Sequence, residues 1–132
     1  EEIQRAADAI YRYYTVSLPL HEADEDDSLH PRLRELADER LRKSLLAMAD
    51  QHLAIDDLLE RLLPLLQLVS RNPQAIHEAG PEMCSITRVL DKMFRAHLEM
   101  EEEAIFPAIR QTLPVAQQAE LLREMQQRRR QG

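Results

Sequence analysis

Residues 41–69 read LRKSLLAMADQHLAIDDLLERLLPLLQLV, and this stretch decides the fold. Leu41, Leu45, Met48, His52, Ile55, Leu59, Leu62, Leu66 and Val69 recur in alternating steps of four and three residues without a miss. An α-helix has 3.6 residues per turn, so this alternation lays one seam along one face, the heptad pattern of helices packed lengthwise. The only polar member of the seam is His52.

The same period continues on both sides. Upstream the seam is Ile3, Ala7, Ile10, Tyr14, Leu18, His21 and Glu25. Downstream it is Met83, Ile86, Leu90, Met93 (or Phe94), His97, Glu101, Ala104 and Ala108. A weaker stripe, Val115, Ala119, Leu122 and Met125, precedes the basic run Arg128–Arg130, which reads as a frayed, soluble terminus. Pro31, Asn72-Pro73, Gly80-Pro81, Pro107 and Pro114 punctuate the chain. The pattern predicts helices over 2–29, 37–71, 81–111 and 115–129, with kinks at Pro19 and Pro64. Long helices joined by short loops form an antiparallel, up-and-down, all-α bundle. Residues 1–112 read as the bundle, and 113–132 as a short C-terminal helix and tail.

Composition agrees. The 132 residues are one domain's worth of chain, and two Gly, no Trp and 4% aromatics exclude a β-sandwich or barrel. Seventeen basic against 24 acidic residues give a net charge of −7, the wrong sign for a phosphate-binding surface, so no nucleic-acid partner is expected. No apolar run approaches the ~20 residues of a membrane span, and no signal-peptide pattern opens the chain. The single Cys84, expected to be buried and inert, fits a reducing, cytoplasmic setting. The chain opens at Glu1 without Met, so a preceding piece is expected.

Each of the three long seams carries a His, and two also carry a Glu. Charged groups are rarely buried unless they are paired or hold a metal. The sequence also repeats itself at an offset of 76: residues 21–31 (HEADEDDSLHP) align with residues 97–107 (HLEMEEEAIFP). The shared pattern is H-x-x-x-E-[DE]-[DE]-x-[LI]-x-P. A four-residue step turns about 400°, so His and Glu lie one turn apart on one face. His21, Glu25, His52, His97 and Glu101 are therefore the candidate metal ligands, with Asp56 and Glu102 as further candidates. Imidazole and carboxylate donors suit Fe, Mn, Zn or Ni, and the absence of a Cys ligand argues against structural zinc or an iron–sulfur cluster. Glu22, Asp24, Asp26, Asp27, Glu99 and Glu103 read as solvated faces, some of them holding ring nitrogens from behind. His30 and His77, off the seams, read as surface residues, and Tyr14 as core.

These two segments, with Ile105-Phe106-Pro107 closing the second, resemble the hemerythrin family and its HHE cation-binding relatives over about residues 1–112. The resemblance implies a four-helix bundle around non-haem iron, in the family a di-iron centre with an oxo or hydroxo bridge; another divalent metal is the variant. It makes His21 and Glu25 the second-helix His and bridging carboxylate, His52 a third-helix His, and His97 and Glu101 the fourth-helix pair. Two departures stand out. Oxygen carriers have a further His where this chain has Asp56, and their fourth-helix carboxylate would fall on Glu102. Register favours Glu101, because Glu102 lies about 140° around from His97. The family's first helix, which donates another His, has no counterpart before Ile3, so the 115–129 helix or a partner subunit is expected to fill its groove. The implied function is binding or sensing of O2, NO or peroxide, or iron handling, rather than classical enzyme catalysis. The alternative is a metal-free helical module that forms a homodimer through an apolar groove. A ferritin-like Glu-x-x-His reading fails, since Leu18, Ala49 and Phe94 stand three residues before the histidines.

Overall fold

Asp38 starts the longest helix: its carboxylate accepts the Leu41 N–H at 2.8 Å, capping a free donor of the first turn. From there a helix runs unbroken over Glu39–Arg71. The computed structural model describes residues 1–131 as four helical rods. We label them α1 (2–36), α2 (Glu39–Arg71), α3 (76–112) and α4 (Val115–Gln131), with a single 3-10 turn, Pro73–Ala75, before α3. No strand occurs among the described residues, and no described helix is long and apolar enough to cross a membrane. Side-chain pairs give the directions. Tyr11 meets Gln67 and Asp26 meets His52, Gln51 meets His97 and Arg61 meets Glu82, and Arg32 meets Glu124 while Asp24 meets Arg129. The numbers run oppositely in each set, so the rods alternate up and down.

Two rods are not regular throughout. In α1 the turns widen to π geometry over Tyr13–Ser17 and Asp24–Leu29, and in α3 over Glu101–Ile105. Each widened segment ends two residues before a proline: Pro19, Pro31 and Pro107. Proline has no N–H to give and its ring crowds the carbonyl four residues back. A wider turn moves that carbonyl aside and lets the helix continue. This corrects two expectations. Pro31 does not end its helix, so α1 runs on to residue 36, whereas α3 passes Pro107 to residue 112 as the predicted 81–111 helix did. Gly80-Pro81 does not start a helix either. α3 begins at Ile76, and Pro81 sits early enough that only the bond to His77 is lost. Pro64 lies on the exposed side of α2, and the helix remains α-helical across it.

The α2 seam from Leu45 to Val69 is entirely buried. It serves two apolar clusters. One joins Leu18, Ile55, Leu59, Leu62, Ile86 and Leu90; the other joins Leu29, Leu33, Met48, Ile105, Leu113 and Leu121. Burial of each such side chain contributes roughly 1.5–3 kcal/mol. Between Met48 of one cluster and Ile55 of the other sits buried His52, so the polar layer is held between two apolar plugs.

The last helix departs from its predicted stripe. Val115 and Leu122 are exposed, and Leu121 with Met125 faces the core instead. Gln118 bonds the Leu113 carbonyl at 2.8 Å, closing the end of α3. The Arg128–Arg130 run is not a loose tail: Arg128 and Arg129 both hold buried Asp24. α4 thus covers α1 only from Asp24 onward, and Ile3 and Ile10 remain exposed. Ile105 replaces Ala104 as the buried seam residue of α3, and Cys84 is exposed rather than buried.

Candidate metal centre

Glu25 is the hub. Its Oε1 lies 2.9 Å from His21 Nε2, and its Oε2 lies 2.7 Å from His52 Nε2 and 3.2 Å from His97 Nε2. Glu101 Oε1 stands 3.0 Å from His97 Nε2 and 3.6 Å from His21 Nε2. His21, Glu25, His97 and Glu101 each offer a donor atom within 4.8 Å of the others. His52 joins them through Glu25. Glu25, His52, His97 and Glu101 are buried, whereas the His21 side chain is 52% exposed on the flank that α4 does not reach.

The short distances are not all hydrogen bonds. His52 Nε2 and Glu101 Oε1 are buried atoms without an aligned hydrogen-bond partner, although a carboxylate oxygen stands 2.7 Å from the first and an imidazole nitrogen 3.0 Å from the second. A proton between two groups aligns them with each other; lone pairs that share a cation converge on a point between them. Around a first-row metal with bonds of about 2.1 Å, neighbouring ligand atoms in a six-coordinate shell stand roughly 3 Å apart. The observed spacings bracket that value, so this donor set fits a metal.

The ring nitrogens facing away are held as well. His97 Nδ1 donates to Gln51 Oε1 at 2.8 Å, and His52 Nδ1 donates to Asp26 Oδ1 at 3.0 Å. Each bond leaves Nε2 as the free lone pair, directed at the carboxylates. Electrostatics follow from the crowding. The Glu101 and Glu25 carboxylates raise His21 from 6.5 to about 10. Burial alone would lower His97, but the same two carboxylates outweigh it and push it up to about 9. His52 is raised against its burial by Glu25. Burial would raise Glu25, yet the three imidazoles hold its carboxyl far below the usual range.

A cavity of about 170 Å³ reaches this layer between Tyr13, Leu18, His21, Glu22, Phe94 and His97. Its wall holds a residue that the sequence pattern placed on a solvated face. Glu22 has a buried oxygen without a partner, and burial, then nearby Asp56, raises it to about 7. Tyr14 stacks on Phe94 in the adjoining core.

A family model described as Hemerythrin HHE cation binding domain matches residues 1–109. The chain belongs to the hemerythrin HHE cation-binding domain family. No curated protein and no solved structure matches it. Within this HHE domain, both motif pairs, His21 with Glu25 and His97 with Glu101, meet in one place with His52 beside them. Asp56 and Glu102 are exposed. The HHE match ends before α4 begins, so the helix that fastens Asp24 lies outside the matched region. His30 is the plain correction: instead of lying on the surface it is buried and stacks on His52, with ring centroids 6.3 Å apart. Its place in the repeat is that of Phe106, so an aromatic position in the pattern was the available signal. Gln51 had no such signal, because it precedes a seam residue and looks like ordinary surface.

Proposed function

We propose that this HHE domain holds non-haem iron, as a pair of ions, and uses it to bind or sense O2 or a related small molecule such as NO or peroxide. The observation that carries the reading is the carboxylate of Glu25, whose two oxygens face different imidazoles, His21 and His52. Glu25 would be able to hold a cation with either oxygen. His21, His52 and His97 would supply the nitrogen ligands, and Glu25 and Glu101 the oxygens. Bound iron supplies electrons and an open coordination position to a small ligand.

The chain's own residues shape what can arrive. Leu18, Ile55, Phe94 and Leu98 make the approach apolar, and its volume suits a molecule of two or a few atoms. Glu22 holds a proton in that wall below about pH 7. Gln51 and Asp26 fix the imidazole tautomers. With Asp56 in place of a further His, and His21 half open to water, nitrogen ligation is lean. This favours sensing, oxidative chemistry or iron handling over stable oxygen carriage. Residues 1–112 form the metal-binding unit in this reading, with 113–132 appended, and its one free cysteine suits a cytoplasmic setting.

Iron content of the purified protein tests this directly. His97→Ala should lower bound iron and thermal stability together, since a ligand that binds only the folded state stabilises it. The same change at exposed His77 should do neither. Equal effects would sink the assignment. The second reading, a homodimer through the face bearing Ile3 and Ile10, is favoured by their exposure of 41% and 43% and predicts a dimer by light scattering even without metal.

A further inference from the structure

A larger cavity, of about 490 Å³, lies between α1 and α2 on the Nδ1 side of His52, where Asp26 sits. It has three features that the metal centre does not use. The first is an apolar wall: Leu46 and Leu53, a heptad apart on α2, are 68% and 66% exposed beside Leu45 and Ala49. Such exposure is unexpected for leucines flanking a buried histidine. The second is charge. Arg34 from α1 and Arg42 from α2 line the cavity, and neither belongs to the ion pairs formed by arginines among the described residues, which engage Arg5, Arg32, Arg61, Arg95, Arg128 and Arg129. Of the two lining carboxylates, Asp26 accepts from His52, and Asp56 faces the Glu22 carboxyl group. The third is His30, a lining residue only 2% exposed, whose Nε2 is buried and has no partner. A buried polar atom without a partner is costly, and a site that supplies one is the usual remedy.

We propose that this cavity binds a small organic carboxylate with an apolar body, of hexanoate or benzoate size. The carboxylate lies toward Arg34 and Arg42, the body lies on Leu46 and Leu53, and His30 Nε2 supplies a further polar contact. Guanidinium groups favour carboxylates over neutral isosteres because the bonds are charge-assisted. The occupant also touches Asp26, which fixes His52. Ligand and metal centre are therefore linked, each changing the other's affinity. That linkage rests on the iron reading above, whereas the binding itself does not.

Calorimetry with hexanoate, hexan-1-ol and acetate, on metal-free and iron-loaded protein, tests both parts. Hexanoate should bind both forms. Hexan-1-ol, lacking the charge, and acetate, lacking the body, should each bind at least about tenfold more weakly. The variant carrying R34Q and R42Q, both at exposed positions, should fold normally and lose about tenfold in hexanoate affinity. In the iron-loaded protein, hexanoate should also shift the visible absorption, and R34Q with R42Q should move the concentration needed for that shift up by the same factor of about ten. Equal binding of hexan-1-ol overturns the anion site. Undiminished hexanoate binding in the double variant shows the carboxylate bound elsewhere, at the metal included, and also overturns it. So does the absence of binding to metal-free protein at millimolar hexanoate. A protein that takes up no iron but binds hexanoate as described refutes the iron reading and leaves this site standing.

Discussion

Arg128 Nη1 lies 2.7 Å from Asp24 Oδ1, so the last helix is fastened to the residue next to Glu25. Arg129 reaches the other oxygen of the same carboxylate at 2.6 Å, and Arg128 also donates to buried Ser28. Arg32 adds a two-pronged pair with Glu124 one turn away. Three ion pairs and the Ser28 hydrogen bond thus fasten α4 to α1 at, and just beyond, the widened turn that presents a candidate ligand.

Replacing Arg128 and Arg129 together by Ala leaves Asp24 buried without a counter-charge. Breaking a fully buried pair costs about 3–5 kcal/mol, and the partial exposure of both arginines lowers the expectation here to roughly 2–3 kcal/mol. Urea denaturation measures it. A loss below about 0.5 kcal/mol, the scale of an ordinary surface change, would show that the contacts are incidental.

Gln51 holds His97 from behind, so Gln51→Leu should weaken metal binding about 10–100-fold while leaving the fold near its original stability without metal. Competition with a chelator reports the affinity. An unchanged affinity would mean that His97 needs no support.

Metal-free and metal-loaded protein should respond to pH in opposite directions. His21 and His97 are raised in the fold to about 10 and about 9 from 6.5, so their stabilisation is complete below pH 6.5 and fades as pH rises toward those values. Glu25 is lowered from 4.5, so its contribution is present above pH 4.5 and is lost as pH falls. Without metal, this cluster stabilises the protein most between about pH 4.5 and 6.5. Metal must displace the imidazole protons, so its affinity should climb between pH 6.5 and 9 with protons released. Melting temperatures with and without metal across this range would show the divergence, and parallel curves would contradict it.

Gly80 lies inside α3 rather than at a helix stop, without positive φ, and a Cβ there would meet only Ile76 Cγ1 at 3.8 Å. Gly80→Ala should stabilise by about 0.5–1 kcal/mol, read as a higher melting temperature. Destabilisation would show that the helix needs its glycine.

The α2 seam was legible because nine residues obey one period and Asp38 offers a cap where the helix begins. The five candidate ligands were legible for a related reason: polar residues on an apolar stripe demand a use. The continuation past Pro31 was not, because proline is normally read as punctuation. A signal was present in the spacing all the same. Glu25, Leu29 and Leu33, like His97, Glu101 and Ile105, are successive steps of four, which a regular α-helix carries off its face. In α4 the adjacent Leu121 and Leu122 gave no way to choose the inward one, since the choice is made by what α1 and α3 present. Asp24 and the arginines are 104 and 105 residues apart, and no local pattern joins them.

The widened turns also set the phase of everything that follows them. Each π turn behaves as a one-residue insertion absorbed within a helix. Deleting Asp27, an exposed residue of the 24–29 turn, would remove that extra residue and let the turn tighten to ordinary α geometry with the downstream phase kept. Leu33 would then stand seven residues from Glu25, a rotation of about 700° that leaves it on the core face, and Arg32 would still face Glu124. A single lost codon there would therefore leave the C-terminal helix seated, at the cost of the crowding that Pro31 meets in a tight turn, and Asp27→Ala, which keeps the count, should be nearly silent.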